Sequence, residues 1–117
     1  LPKKKLKVIR LDIRNHKKIS LNNVDVVVHL ASIANDPSVE LNPKLSWEVN
    51  VLATQKLIEN AVKSGVKQFI YASSGSVYGV KKEKEVTEEL PLVPISTYNK
   101  TKMIAERVFL SFKRILF

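Results

Sequence analysis

Apolar positions change rhythm several times along this chain of 117 residues. Over 6–13, LKVIRLDI, they alternate or cluster across strand length and stop at Asp12. Over 24–31, VDVVVHLA, they form a nearly continuous β-branched run, the pattern of a strand buried on both faces. The polar segment 14–23 between them leaves room for a short helix at most. From 43 to 63 the period shifts: Leu45, Val49, Leu52, Ala53, Leu57, Ile58, Ala61 and Val62 recur every three or four residues, as on one stripe of a helix. Gly65 stands where such helices end. A third strand is expected over 66–74, VKQFIYASS, closed by Gly75. The stretch up to about 96 carries charge, Pro91, Pro94 and no clean period, so it reads as a surface loop. From Thr97 to 116, helical spacing returns at Met103, Ile104, Val108, Leu110 and Ile115. Strand, short link, strand, long helix, strand, loop, helix is the order of the α/β class, a parallel sheet with helical crossovers, here within a single domain over 1–117.

Composition narrows the setting. The absence of cysteine removes disulfides and thiolate metal sites and suits a reducing cytoplasm. No run approaches the roughly 20 apolar residues of a membrane helix, so no membrane partner is expected. Twenty basic residues against eleven acidic give a net charge of +9, which invites an anionic partner. The basic residues are spread over several segments without interleaved aromatics, so nucleic acid is not the expected partner.

In an open parallel sheet, ligands bind beyond the carboxyl ends of the strands. Asp12, Leu30 to Ser32, Ser73 to Ser76, and the helix opening at Tyr98 all follow the apolar runs and would face one crevice. Tyr98 and Lys102, at i and i+4, share a helix face, so an ammonium can favour ionisation of the phenol and make it a general base. Such a pair also arises by chance in a lysine-rich chain. Ser74, at the end of a strand and 24 positions before Tyr98, changes that balance, because a hydroxyl there can donate to a substrate oxygen while the phenol handles the proton. Asp12 can accept from an adenine amino group or be a turn residue. Asn50 lies mid-helix and needs partners if buried. His16 and His29 lack metal spacing and read as having a structural role or none, and Trp47 and Tyr71 as packing residues.

Together, LDIRN, VDVVVHLASIANDPS, NPKLSWEVNVLATQKLIENAVKSGVKQFIYASSGSVYG and TEELPLVPISTYNKTKMIAERV resemble the extended short-chain dehydrogenases/reductases, and more closely the NAD-dependent nucleotide-sugar epimerases and dehydratases. The resemblance runs from residue 8 to about 110. It implies a partial Rossmann-like sheet, NAD as cofactor and a nucleotide-sugar as substrate. It casts Tyr98 as base, Lys102 as the cation that lowers its pKa and holds the nicotinamide ribose, and Ser74 as the hydroxyl on the sugar oxygen. Gly75 and Ser76 would line the sugar site. Asp12 and Ile13 would meet the adenine end, Leu30, Ala31 and Ser32 the dinucleotide, and Asn50 the helix-to-strand network beneath it. Dehydratases of this kind carry an Asp-Glu pair just before VYG; Gly75 and Ser76 stand there, which favours epimerisation, at C4 first and C2 second. A homodimer through the helices at 43–63 and 97–116 is also implied.

The family's opening glycine-rich turn, which holds the pyrophosphate at a helix N-terminus, has no counterpart among Gly65, Gly75 and Gly79. The chain is therefore expected to be incomplete at both ends, without the C-terminal substrate domain, to be inactive alone, and to expose sheet edges prone to association. The alternatives are a non-catalytic remnant or interaction module with a basic surface, or a dehydratase or 2-epimerase of the same family.

Overall fold

The computed structural model describes residues 5–34, 36–74, 79, 87–91 and 96–112. Its sheet has two parallel strands, β1 (Val26–His29) and β2 (Gln68–Tyr71), paired from Val26↔Gln68 to His29↔Tyr71. Both fall inside the expected runs. The ladder continues a little at either end: Lys67 N donates to Asp25 O at 2.9 Å and Ala72 N to His29 O at 3.2 Å.

The strand expected over 6–13 does not form. Hydrogen-bonded pairing with a neighbour is what makes an extended segment a strand, and among the described residues the only ladder joins β1 to β2. Leu6 and Val8 are 64% and 74% exposed. At its end Asn15 N donates to Asp12 O and Arg14 N to the Asp12 carboxylate, both at 2.9 Å, so Asp12 opens a turn that leads into a short 3-10 turn at His16–Lys18. The expectation that β1 is buried on both faces is also corrected. Val27 packs on the core, while Val26 and Val28 open outward, Val28 at 56% exposure.

The helix expected over 43–63 is continuous but not uniform. A short helix, α1 (Asp36–Leu41), precedes it and was not expected. Asn42 then caps α2 (Pro43–Trp47), its side chain accepting from Leu45 N at 3.1 Å, with Pro43 in the first turn where its missing N–H costs nothing. A π turn (Glu48–Leu52) follows, closed by the wide bond from Ala53 N to Glu48 O, and α3 (Ala53–Ser64) completes the run. Gly65 ends it at φ 73°, with Gly65 N and Val66 N folding back on Val62 O and Ala61 O. Helix α4 (Thr97–Ser111) starts at Ser96, whose hydroxyl accepts from Asn99 N at 3.2 Å; the expected continuation to 116 lies outside the described residues.

The core forms where α3 and α4 meet the sheet. Leu57, Ile58 and Ala61 of α3 lie against Phe69 of β2 with Leu21 and Val66, and Val27, Val108, Phe109 and Phe112 close round them. Burying such side chains contributes about 1.5–3 kcal/mol each, and it sets the ends of β1 and β2 beside the first turns of α4. No helix among the described residues is long and apolar enough to cross a membrane.

Candidate functional site

Beyond β2 the chain presents Ala72, Ser73 and Ser74 toward α4. Lys102, on the second turn of α4, is 4% exposed. Its Nζ donates to Ala72 O at 2.5 Å and lies 4.6 Å from the centroid of the Tyr71 ring. A carbonyl and an aromatic face together offset the cost of burying the ammonium. Burial still pulls the Lys102 amine below its ordinary range, and the Glu106 carboxylate, one turn further along α4, partly opposes this. Tyr98, one turn before Lys102, is half-buried.

Ser74 is half-buried and lines a cleft of about 380 Å³ with Tyr71, Ser73, Glu88, Glu106, Phe109 and Leu110. Ser73 Oγ donates to Glu106 Oε2 at 2.5 Å, so this carboxylate ties the end of β2 to α4. The Tyr71 hydroxyl is buried without a hydrogen-bond partner. Burial first, then the nearby Tyr98 and Glu106, pushes its titration well above the usual phenol range.

Beneath these groups runs a buried polar chain. Asn50, in the π turn, donates from Nδ2 to Ile33 O and Thr101 Oγ1, both at 3.1 Å, and accepts from Ile33 N at 2.8 Å. Asn50 thus ties the π turn to the segment after β1 and to α4. Thr54 Oγ1 donates to Asn50 O at 2.9 Å and meets His29 Nε2 at 2.8 Å. His29 is held down to about 4, by burial first and then by the charge of Lys102, so its ring is neutral at pH 7. That matches a structural histidine.

The dinucleotide-side residues are spread more widely. Leu30 and Ala31 are exposed and Ser32 half-buried just past β1, and Ile13 packs on the core. Asp12 is bound by Arg14, which also reaches Glu48 Oε2 at 3.0 Å. The guanidinium holds the Asp12 carboxyl down at about 2. Asp12 lines a separate cleft of about 480 Å³ with Arg14, His16, Glu48 and Lys56. Lys102 therefore meets the end of β2 and Asn50 ties the segment after β1 to α4, whereas Asp12 faces a different cleft. Gly75 and Ser76 lie outside the described residues. Thr54, Thr101 and Glu106 were not singled out from sequence. The available signal was polar residues on the apolar stripe: Thr54 four positions after Asn50, and Thr101 beside Lys102.

The profile of the NAD dependent epimerase/dehydratase family matches residues 2–114. UDP-glucose 4-epimerase 4 of Oryza sativa subsp. japonica is 36% identical over 107 residues, covering 88% of this chain and 29% of its own length. DesIV, a dTDP-glucose 4,6-dehydratase from Streptomyces venezuelae solved with NAD bound, superposes with a TM-score of 0.83 at 31% identity, over 88% of this chain and 33% of that one. The UDP-Glc/GlcNAc 4-epimerase of Campylobacter jejuni gives a TM-score of 0.81 at 27% identity, over 89% and 33%. The chain thus spans about a third of the length of these relatives. By these matches, the chain belongs to the NAD dependent epimerase/dehydratase family.

Proposed function

We propose that this chain carries the proton-transfer part of a nucleotide-sugar 4-epimerase site, with Tyr98 as base, Lys102 as its cationic neighbour and Ser74 as the hydroxyl on the sugar. The observation that carries the reading is Lys102: an ammonium 4% exposed, seated on Ala72 O where β2 ends. A buried cation at the carboxyl end of a parallel strand is costly for stability alone, which supports a functional role for it.

The residues fit a nicotinamide cofactor at its ribose end. Ala72 O takes one of the three N–H donors of Lys102, so the ammonium has donors for ribose hydroxyls. Leu30 and Ala31 offer an exposed apolar shelf at the end of β1. When bound, the cofactor supplies a hydride acceptor and donor. The chain's own residues do the rest. Ser74 orients the sugar hydroxyl, Tyr98 takes its proton, the positive charge one turn away stabilises the phenolic oxygen, and the same phenol returns the proton when the sugar is reduced from its other face. Gly75 and Ser76 stand where the dehydratases it resembles carry an acidic pair, which supports epimerisation over elimination. The relatives named for 4-epimerisation support C4 and a UDP-sugar.

Calorimetry with NAD tests this reading. The 117-residue chain has no glycine-rich turn; preceded by the strand, turn and helix of a relative, it should bind NAD, and alone it should bind far more weakly and not turn over. Failure of the joined protein to bind would sink the proposal. A homodimer across the two long helical runs, where Leu52 and Leu110 are exposed, belongs to the same reading and is checked by sedimentation.

A further inference from the structure

The proposed chemistry leaves His29, Thr54, Asn50 and Thr101 without a direct task, yet none is more than 3% exposed. Their hydrogen bonds can be followed proton by proton. Thr101 Oγ1 donates to Tyr98 O at 2.8 Å, which uses its single hydrogen, so it must accept from Asn50 Nδ2. The other Nδ2 hydrogen goes to Ile33 O. Ile33 N can only donate, so the oxygen of the Asn50 amide must face it, and the orientation of the amide is settled. Thr54 Oγ1 spends its hydrogen on Asn50 O and so accepts from His29, which calls for a proton on Nε2. Each hydroxyl hydrogen is used once, and the chain runs from β1 through α3 and the π turn to α4.

We propose that Thr101 is a positioning residue that latches the first turns of α4 to the π turn through Asn50, and thereby sets where its neighbour Lys102 delivers the ammonium. This rests on the reading of Tyr98 and Lys102 as the chemical pair. Two features support a latch over simple packing. Apolar side chains of equal volume would fill the same space with comparable stability and no directional constraint. The same hydroxyl also holds Tyr98 O, so one side chain contacts the backbone of the proposed base and adjoins the proposed cation. The π turn serves the latch as well. Its widened ring allows Val49, Asn50 and Val51 to be buried together, beyond what a 3.6-residue period places on one face, and Ala53 and Thr54 follow directly.

The test follows the Lys102 amine by NMR titration in the 117-residue chain, its signal assigned by loss in Lys102→Arg, with Thr101→Val and Thr101→Ser compared. Valine keeps the volume and loses the hydrogen bonds; serine keeps both bonds. Thr101→Val is expected to move the Lys102 titration up toward that of an ordinary amine as the ammonium leaves its buried seat, and Thr101→Ser to restore the parental value. A folded Thr101→Val that titrates like the parent, or a serine variant that behaves like valine, overturns the proposal. If valine unfolds the chain, exchange of the Asn50 side-chain amide protons in the parent decides: at least ~10-fold slower than those of exposed Asn22 upholds the latch, and equal rates overturn it. Neither readout needs cofactor or turnover. A failure of the catalytic reading, seen as full activity in Tyr98→Phe, is therefore distinguishable from a failure of the latch.

Discussion

Asn50 shows how much one side chain carries here. It satisfies both backbone groups of Ile33 and one lone pair of Thr101 from within the core. Replacing it by alanine leaves the partly buried N–H and C=O of Ile33 unpaired, and the expected loss is about 2 kcal/mol in urea unfolding, against under about 0.5 kcal/mol for exposed Asn22→Ala. His29 predicts a pH dependence. Its folded value of about 4 lies below the ordinary imidazole value of 6.5, so between the two the unfolded chain binds the extra proton. Stability from this group is complete above the unfolded value and falls as pH drops through that window, by up to about 3 kcal/mol. Asp12, lowered from 3.8 to about 2 by Arg14, acts only below that range. Unfolding midpoints measured from pH 7 to 4 should therefore fall in the parent and flatten in His29→Gln; parallel slopes would show that burial of His29 does not shift its titration.

At the scale of elements, local chemistry sets the ends. Ser96 caps α4 on Asn99 N, so Ser96→Ala should cost about 1 kcal/mol by denaturant unfolding. Gly65 sits at φ 73° with open space around an added Cβ, so Gly65→Ala should cost about 1 kcal/mol from backbone conformation alone, and Gly65→Asn less. The Gly65 end, the two strands and both long helical runs were legible because glycine and period are local signals. Other features were not. The run over 6–13 has the right residues for a strand, but a strand depends on a distant backbone for pairing, which no pattern within the run encodes. The π turn hides because a one-residue widening preserves apolar residues at nearly the spacing of a regular helix. At the site, Tyr98, Lys102, Ser74 and Asn50 stood out by residue type and position. Thr101 did not, since its role comes from Asn50, 51 residues away.

For the whole molecule, charge and exposed apolar surface oppose each other. The formal charge of +9 keeps copies apart, while Leu6, Val8, Ile9, Val26, Val28 and Leu30 are all exposed. Adding salt from about 0.02 to 0.5 M shortens the Debye length several-fold and should promote association by light scattering, an effect that Val8→Lys with Val28→Lys suppresses. If association is instead strongest at low salt, ion pairing rather than apolar contact drives it. The functional account stands on Tyr98 being the base beside a buried Lys102. The most direct measurement places residues 5–112 in the corresponding segment of the rice UDP-glucose 4-epimerase and compares 4-epimerisation of UDP-glucose with Tyr or Phe at position 98. The account predicts turnover with Tyr98 and a fall of about 10²–10⁴-fold in kcat for Tyr98→Phe with NAD still bound. Equal turnover of the two, or a hybrid that binds NAD and substrate but never turns over, would contradict it.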